Sequence, residues 1–179
     1  MPNKLTRRMV EGAMIAALYV ALTYFSRLLG LADGAVQFRL SELLTVLPAF
    51  TPAAIPGLTI GCLIANLGSP YGIADIISGT LATFLAALCT RALRGVRFHG
   101  IPVLAPIPPV VFNGVIVGVV VTIMNEAGQL IPAAFTLPVF AATALTVALG
   151  EVVVCAVGGY PLMFLLERNG LSRRWKWEQ

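Results

Sequence analysis

Charged side chains are scarce in this chain. Asp, Glu, Lys and Arg make up 11% of its 179 residues, while 58% are hydrophobic. A soluble chain carries about 25% charged residues, so a soluble domain of this composition lacks the polar groups to cover its surface. His99 is the single histidine. With no clustered cysteines beside it, a zinc hydrolase or a Ser-His protease is disfavoured. Cys62, Cys89 and Cys155 lie singly in apolar runs. No pair has metal-ligand or redox spacing, so each reads as a buried thiol. A G-x-x-x-x-G-K-[ST] loop is missing, so the chain is not expected to hydrolyse ATP itself. No small-residue cleavage site follows the basic start at Lys4, Arg7 and Arg8, which is expected to flank a first spanning helix rather than form a removed leader. The basic residues sit at the ends of apolar runs without interleaved aromatics, which excludes a nucleic-acid patch.

Long apolar runs are what the sequence does have. A spanning helix needs about 20 mainly apolar residues, and the runs predict an all-α integral membrane protein, one transmembrane domain over residues 1–179. Six segments are expected, at about 9–31, 40–50, 54–67, 72–93, 109–125 and 138–166. The second and third are short, two brief spans or one re-entrant hairpin divided at Pro52. Pro108 and Pro109 supply a helix start, and Gly158, Gly159 and Pro161 are expected to bend or end the last helix. Lys and Arg set the orientation. Lys4, Arg7, Arg8, Arg91, Arg94, Arg97, Arg168, Arg173, Arg174 and Lys176 fall on one side, Arg27 and Arg39 on the other. Both termini are therefore expected in the cytoplasm, with Trp175 and Trp177 in an inner interfacial belt.

Polar groups inside such runs are costly and mark function. The block from Val36 to Asn66 holds Gln37, Arg39, Glu42 and Asn66 among apolar or small residues, three threonines and three prolines. With Phe38, Tyr71, Asp75, Asn113 and Glu151 these residues make a candidate ligand site, an outward-facing pocket with Glu151 at its floor. Each has a structural alternative. Arg39 and Glu42, three apart, are placed to pair with each other. Asp75 suits a helix N-terminus, Asn66 a helix C-cap before Gly68, and Tyr71 an interfacial anchor. Glu151 has Asn113 as a structural partner. Glu126 and Gln129 read as solvated loop residues. Ala13, Ala17 and Ala21 form a small-residue stripe on the first helix, suited to close approach of another helix inside the protein or outside it.

The runs QFRLSELLTVLPAFTPAAIPGLTIGCLIANL, DIISGTLATFLAA, APIPPVVFNGVIVG and ALGEVVVCAVGGYPL resemble the QueT family, substrate-capturing S-components of energy-coupling factor (ECF) transporters associated with queuosine precursors. The resemblance covers nearly the whole chain. It implies a six-helix bundle of the ECF S-component type in a bacterial cell membrane, which catches queuine or an aminomethyl-deazaguanine from outside. It implies two cytoplasmic ATPases and a membrane coupling subunit as partners, docked through Ala13, Ala17 and Ala21. No cofactor, metal or enzymatic activity is expected. The short loop Gly68-Ser69-Pro70-Tyr71 departs from the family pattern, which leaves the choice of base open. The chemistry suits such a ligand: carboxylates accept from adjacent N–H donors, amides meet a carbonyl or ring nitrogen with either end, and Phe38 or Tyr71 offers an aromatic wall. The alternatives are an S-component for another vitamin-like heterocycle or a stand-alone proton-coupled transporter.

Overall fold

The computed structural model describes residues 3–33, 36–124 and 129–170. Glu126, Arg173, Arg174, Trp175, Lys176 and Trp177 lie outside them. Helix α1 runs Lys4–Leu28. A 3-10 helix, Leu40–Ala49, leads to α2 (Ala54–Asn66) and α3 (Gly72–Ala92). Next come α4 (Ile107–Phe112), a π turn at Asn113–Val117 and α5 (Gly118–Thr122) as one continuous rod. Helix α6 (Leu137–Val152), a second π turn at Val153–Gly158 and α7 (Gly159–Arg168) make another. Among the described residues the only β pairing is two isolated bridges, Phe98 with Ile101 and Met124 with Leu130.

Lys4–Leu28, Gly72–Gly95 and Leu137–Arg168 are long and apolar enough to cross a membrane. The rod Ile107–Thr122 starts two residues before the expected segment 109–125 and ends three residues before that segment does, short of the bridge between Met124 and Leu130. Gly158, Gly159 and Pro161 do not end the last helix. A π turn absorbs the irregularity and the rod continues to Arg168.

The bundle is inside-out relative to a soluble protein. On α3 the exposed side chains are Ile73, Ile77, Leu81, Phe84 and Leu88, while Asp75, Ser78, Gly79, Ala82, Thr83, Ala86, Ala87 and Thr90 are buried. Large apolar groups outside and small or polar groups inside are what a lipid solvent selects, because helix association there rests on close packing and hydrogen bonds. Membership of the membrane class follows from this pattern and the three long helices.

Small residues decide which helices touch. Gly12 and Ala16 of α1 meet Gly57 and Gly61 of α2. A Cβ added at Gly61 would sit 2.9 Å from the Tyr19 Cβ and 3.1 Å from the Ala16 Cα. Gly114 and Gly118 meet Ala144 and Ala148 of α6 in the same way. Gly61→Leu is therefore expected to push α1 from α2 and cost about 1–3 kcal/mol. Thermal unfolding in detergent checks this, with Ile60→Leu, on the exposed side of α2, expected to melt like the parent.

The 3-10 helix threads the middle of the bundle, with Ser41, Glu42 and Leu44 to Ala49 buried. Ten residues in this form are unusual, since runs beyond three or four are uncommon. At about 2.0 Å rise per residue the form reaches about 20 Å, further than an α-helix of equal length. Gly158 and Gly159 leave room for it: a Cβ on either would press on Leu43 or Val46 at 3.1 and 3.0 Å. The Arg91 guanidinium donates to the Pro48 carbonyl at 3.3 Å and closes the far end.

Candidate functional site

Polar side chains gather where the 3-10 helix enters the bundle. Arg39 immediately precedes that helix and is 7% exposed. A buried guanidinium needs partners on several sides, and Arg39 has them. It meets Asp75 at 3.4 Å and Asp33 at 3.6 Å. It also donates to the Asn66 side-chain oxygen at 3.4 Å and to the Ala32 carbonyl at 3.3 Å. The pairing of Arg39 with Glu42 that their spacing permits is not made; the charge turns to Asp75 and Asp33 instead. Asp33 also binds Arg27 at 3.0 Å.

Asn66 ends α2, but its side chain does more than cap. Its amide nitrogen donates to the Asp75 carbonyl at 3.3 Å while its oxygen accepts from Arg39. Asp75 lies in the first turn of α3, where its charge suits the helix N-terminus, and accepts from the Ser69 hydroxyl at 2.6 Å. Asn66 and Asp75 thus hold Arg39 in place from behind.

Beyond Arg39 lie two more carboxylates. Tyr19 of α1 donates its hydroxyl to Glu42. Asn113, which opens the first π turn, donates one amide nitrogen to Glu151 at 2.8 Å and to Glu42 at 3.5 Å. The structural partnership of Asn113 with Glu151 is therefore real, and it extends to Glu42. Cys155, inside the second π turn, places its sulfur 3.6 Å from Glu151 and 3.5 Å from the Glu42 carbonyl. Single π turns inside α-helices occur often at functional sites. Here each one redirects a polar side chain into the same spot.

Gln37, Arg39, Glu42, Cys62, Gly79, Thr83, Asn113, Val117, Val147 and Glu151 surround one cavity. Five of the nine sequence candidates line it: Gln37, Arg39, Glu42, Asn113 and Glu151. Gln37 is 8% exposed, and it lines the cavity beside Glu42, Asn113 and Glu151. Its backbone lies against α6 at Gly150, where a Cβ would come 3.0 Å from the Gln37 carbonyl carbon and closer still to its oxygen. Gly150 therefore sets how near Gln37 comes to Glu151.

Phe38 and Tyr71 do not wall this cavity. Phe38 is half-buried, with its backbone N–H on the Leu31 carbonyl. The Tyr71 hydroxyl donates to the Asp33 carbonyl at 2.9 Å. Burial, and after it the Asp33 charge, raises the Tyr71 phenol above its ordinary value, so it stays a neutral donor that ties the loop before α3 to the loop before Gln37. The expected open pocket is also corrected. The cavity holds about 10 Å³, room for one water, against roughly 300 Å³ or more for a small-molecule pocket. Its polar walls have closed on one another.

Several participants carry weak sequence signals. Tyr19, Thr23 and Ser26 recur at four and three residues along a buried face of α1, a polar stripe legible from spacing alone. Thr83 and Gly79 share the small, polar face of α3. Asp33 and Arg27 have no signal, because nothing in their neighbourhood shows that two loops meet there. Ala13, Ala17 and Ala21 are exposed, and internal packing is done by Gly12 and Ala16 beside them. The stripe lines an open groove of about 920 Å³ with Pro52, Pro56, Ile60 and Ile64.

The pattern that defines the QueT transporter family matches residues 9–168. The queuosine precursor transporter QueT of Lactococcus lactis subsp. cremoris is 39% identical over 85 residues, covering 48% of this chain and 50% of that one. The C component of the tetrahydromethanopterin S-methyltransferase of Methanocaldococcus jannaschii is 32% identical over 99 residues, covering 55% of this chain and 36% of that one. The chain thus spans about half the length, or less, of these curated relatives. No solved structure is significantly similar. A match over most of the chain, on an inside-out helical bundle with a buried polar centre, decides the class: the chain belongs to the QueT transporter family.

Proposed function

We propose that this chain is the substrate-binding membrane subunit of an ECF-type importer in a bacterial cell membrane, and that it captures a queuosine precursor or salvage base from outside. The observation that carries the reading is the convergence of Gln37, Glu42, Asn113 and Glu151 on one buried cavity within an apolar bundle. A guanine-like edge presents adjacent N–H donors beside a carbonyl. Glu151 and Glu42 accept from those donors, and the Gln37 and Asn113 amides meet the carbonyl and ring nitrogens. Asn66 and Asp75 act through Arg39, which they hold. Six segments of one transmembrane domain cross or enter the bilayer, with both termini in the cytoplasm as the Lys and Arg distribution supports.

The closed cavity bears on how the site works. A base enters only by taking over hydrogen bonds that Asn113, Glu42 and Glu151 now make with each other. These side chains therefore trade mutual contacts for ligand contacts, and binding should register as stabilisation. Against a panel of queuine, aminomethyl-deazaguanine, a pteridine and thiamine, the deazapurines are expected to raise the melting temperature of the purified chain and the others to leave it unchanged. A vitamin-selective response would overturn the substrate reading.

The coupling subunit and two ATPases are supplied in trans, and the exposed Ala13-Ala17-Ala21 stripe is the proposed contact. Ala17→Trp is expected to abolish deazapurine uptake in cells that carry the coupling module, while the purified variant binds ligand as the parent does. Parental uptake would remove the stripe from the interface.

A further inference from the structure

The buried polar centre does not balance its charge. Two guanidiniums, Arg27 and Arg39, face four carboxylates, Asp33, Asp75, Glu42 and Glu151. Both cations are committed to Asp33 and Asp75. Among the described residues Glu42 and Glu151 receive only neutral donors: the Tyr19 hydroxyl from α1, the Asn113 amide, and the Cys155 thiol. The other polar cavity groups facing them are the Cys62 thiol from α2, the Thr83 hydroxyl from α3, and the Gln37 amide. Among the described residues Arg39 is the one cation bordering the same cavity, but its bonds run to Asp75, Asp33, Asn66 and Ala32. Two carboxylates that share a donor nitrogen in a dry interior do not both stay ionised without a counter-charge.

We propose that the Glu42–Glu151 pair holds one proton in the ligand-free protein and exchanges it for a cationic guest, so that the cavity selects a base carrying a protonated amine. This rests on reading the cavity as the ligand site. The exchange balances. The O–H bond of the carboxylic acid breaks and its proton passes to bulk water. The carboxylate left behind accepts N–H from the ammonium, which keeps its charge. One positive charge enters and one leaves, and the net charge of the centre is unchanged. The other carboxylate of the pair and the Gln37 amide on the same cavity then meet the neutral, guanine-like edge of the same molecule. A base without an amine makes the edge contacts but leaves the proton where it is.

The test is calorimetric titration of the purified full chain with aminomethyl-deazaguanine and with 7-deazaguanine, which lacks the amine. Each titration is run in two buffers of different ionisation enthalpy, from about pH 5 to pH 7. Release of about one proton per amine-bearing ligand, none for 7-deazaguanine, and an affinity for the amine that rises about tenfold per pH unit over the acid range support the exchange. Glu151→Gln is expected to abolish the release. Equal proton counts for the two ligands, or a pH-independent affinity for the amine, overturn the exchange and leave the ligand site standing. Failure of both ligands to bind overturns the site and the exchange together.

Discussion

Glu151→Gln is expected to cost the protein its ligand and not its fold. The side chain is buried on α6 against Asn113 and Cys155, with a second carboxylate, Glu42, on the same Asn113 nitrogen. Glutamine keeps an acceptor for Asn113 and nearly the same shape, and it removes one of two acidic groups that share a single donor nitrogen without a cation bonded to either. The contacts of the ligand-free centre survive the exchange, so the ligand-free variant should melt close to the parent temperature. Ligand binding should weaken. Losing a charge-assisted hydrogen bond inside a closed site costs about 2–5 kcal/mol, and a decrease in affinity of about 100-fold is the expected result. Had Glu151 only supported Asn113, the amide would serve as well and affinity would hold. Thermal unfolding and binding measured on one preparation separate the two readings.

Arg39→Gln is expected to do the reverse and damage the fold itself. The guanidinium is nearly buried, and it joins the loop that begins at Leu29 to α2 and α3 through Ala32, Asn66 and Asp75. Removing it leaves Asp75, 2% exposed, facing a dry interior. Truncating one partner of a buried ion pair costs about 3–5 kcal/mol, which for a chain of this size lowers the melting temperature on the order of 10 °C. Asp75→Asn in the same molecule removes the stranded charge and should recover a large share of the loss, because the two positions are directly coupled. An Arg39→Gln variant that melts like the parent would show that the charge network is not what positions the loop.

Much of this architecture is legible in the sequence because a lipid solvent leaves few choices. The apolar runs locate each helical stretch to within a few residues except at the start of α1, and the scarcity of polar groups inside them makes each buried one conspicuous. Glu42, Asn113 and Glu151 stand out for that reason, and they meet. Other features depend on three-dimensional arrangement. The form of Leu40–Ala49 is hidden, since periodicity does not separate a short α-helix from a 3-10 helix. The π turns at Asn113–Val117 and Val153–Gly158 add one residue to a turn without changing the hydrophobic pattern. Arg39 turns from its neighbour Glu42 to Asp75, thirty-six residues away in sequence, because the loop from Leu29 folds back over α3. Phe38 and Tyr71 belong to the expected end of the bundle but not to the cavity, and a loop carbonyl takes the Tyr71 hydroxyl. The first helix resolves an ambiguity that spacing leaves open: Gly12 and Ala16 pack inward on α2, and Ala13, Ala17 and Ala21 face out.

The central claim is that the polar centre of this bundle is a seat for a deazapurine, and equilibrium dialysis of labelled aminomethyl-deazaguanine against the purified chain tests it most directly. One saturable site per chain, emptied by excess unlabelled queuine and lost in the Glu42→Gln, Glu151→Gln double variant, is the predicted result. A parent protein that melts cooperatively yet retains no labelled base, or a double variant that retains it as the parent does, would contradict the account.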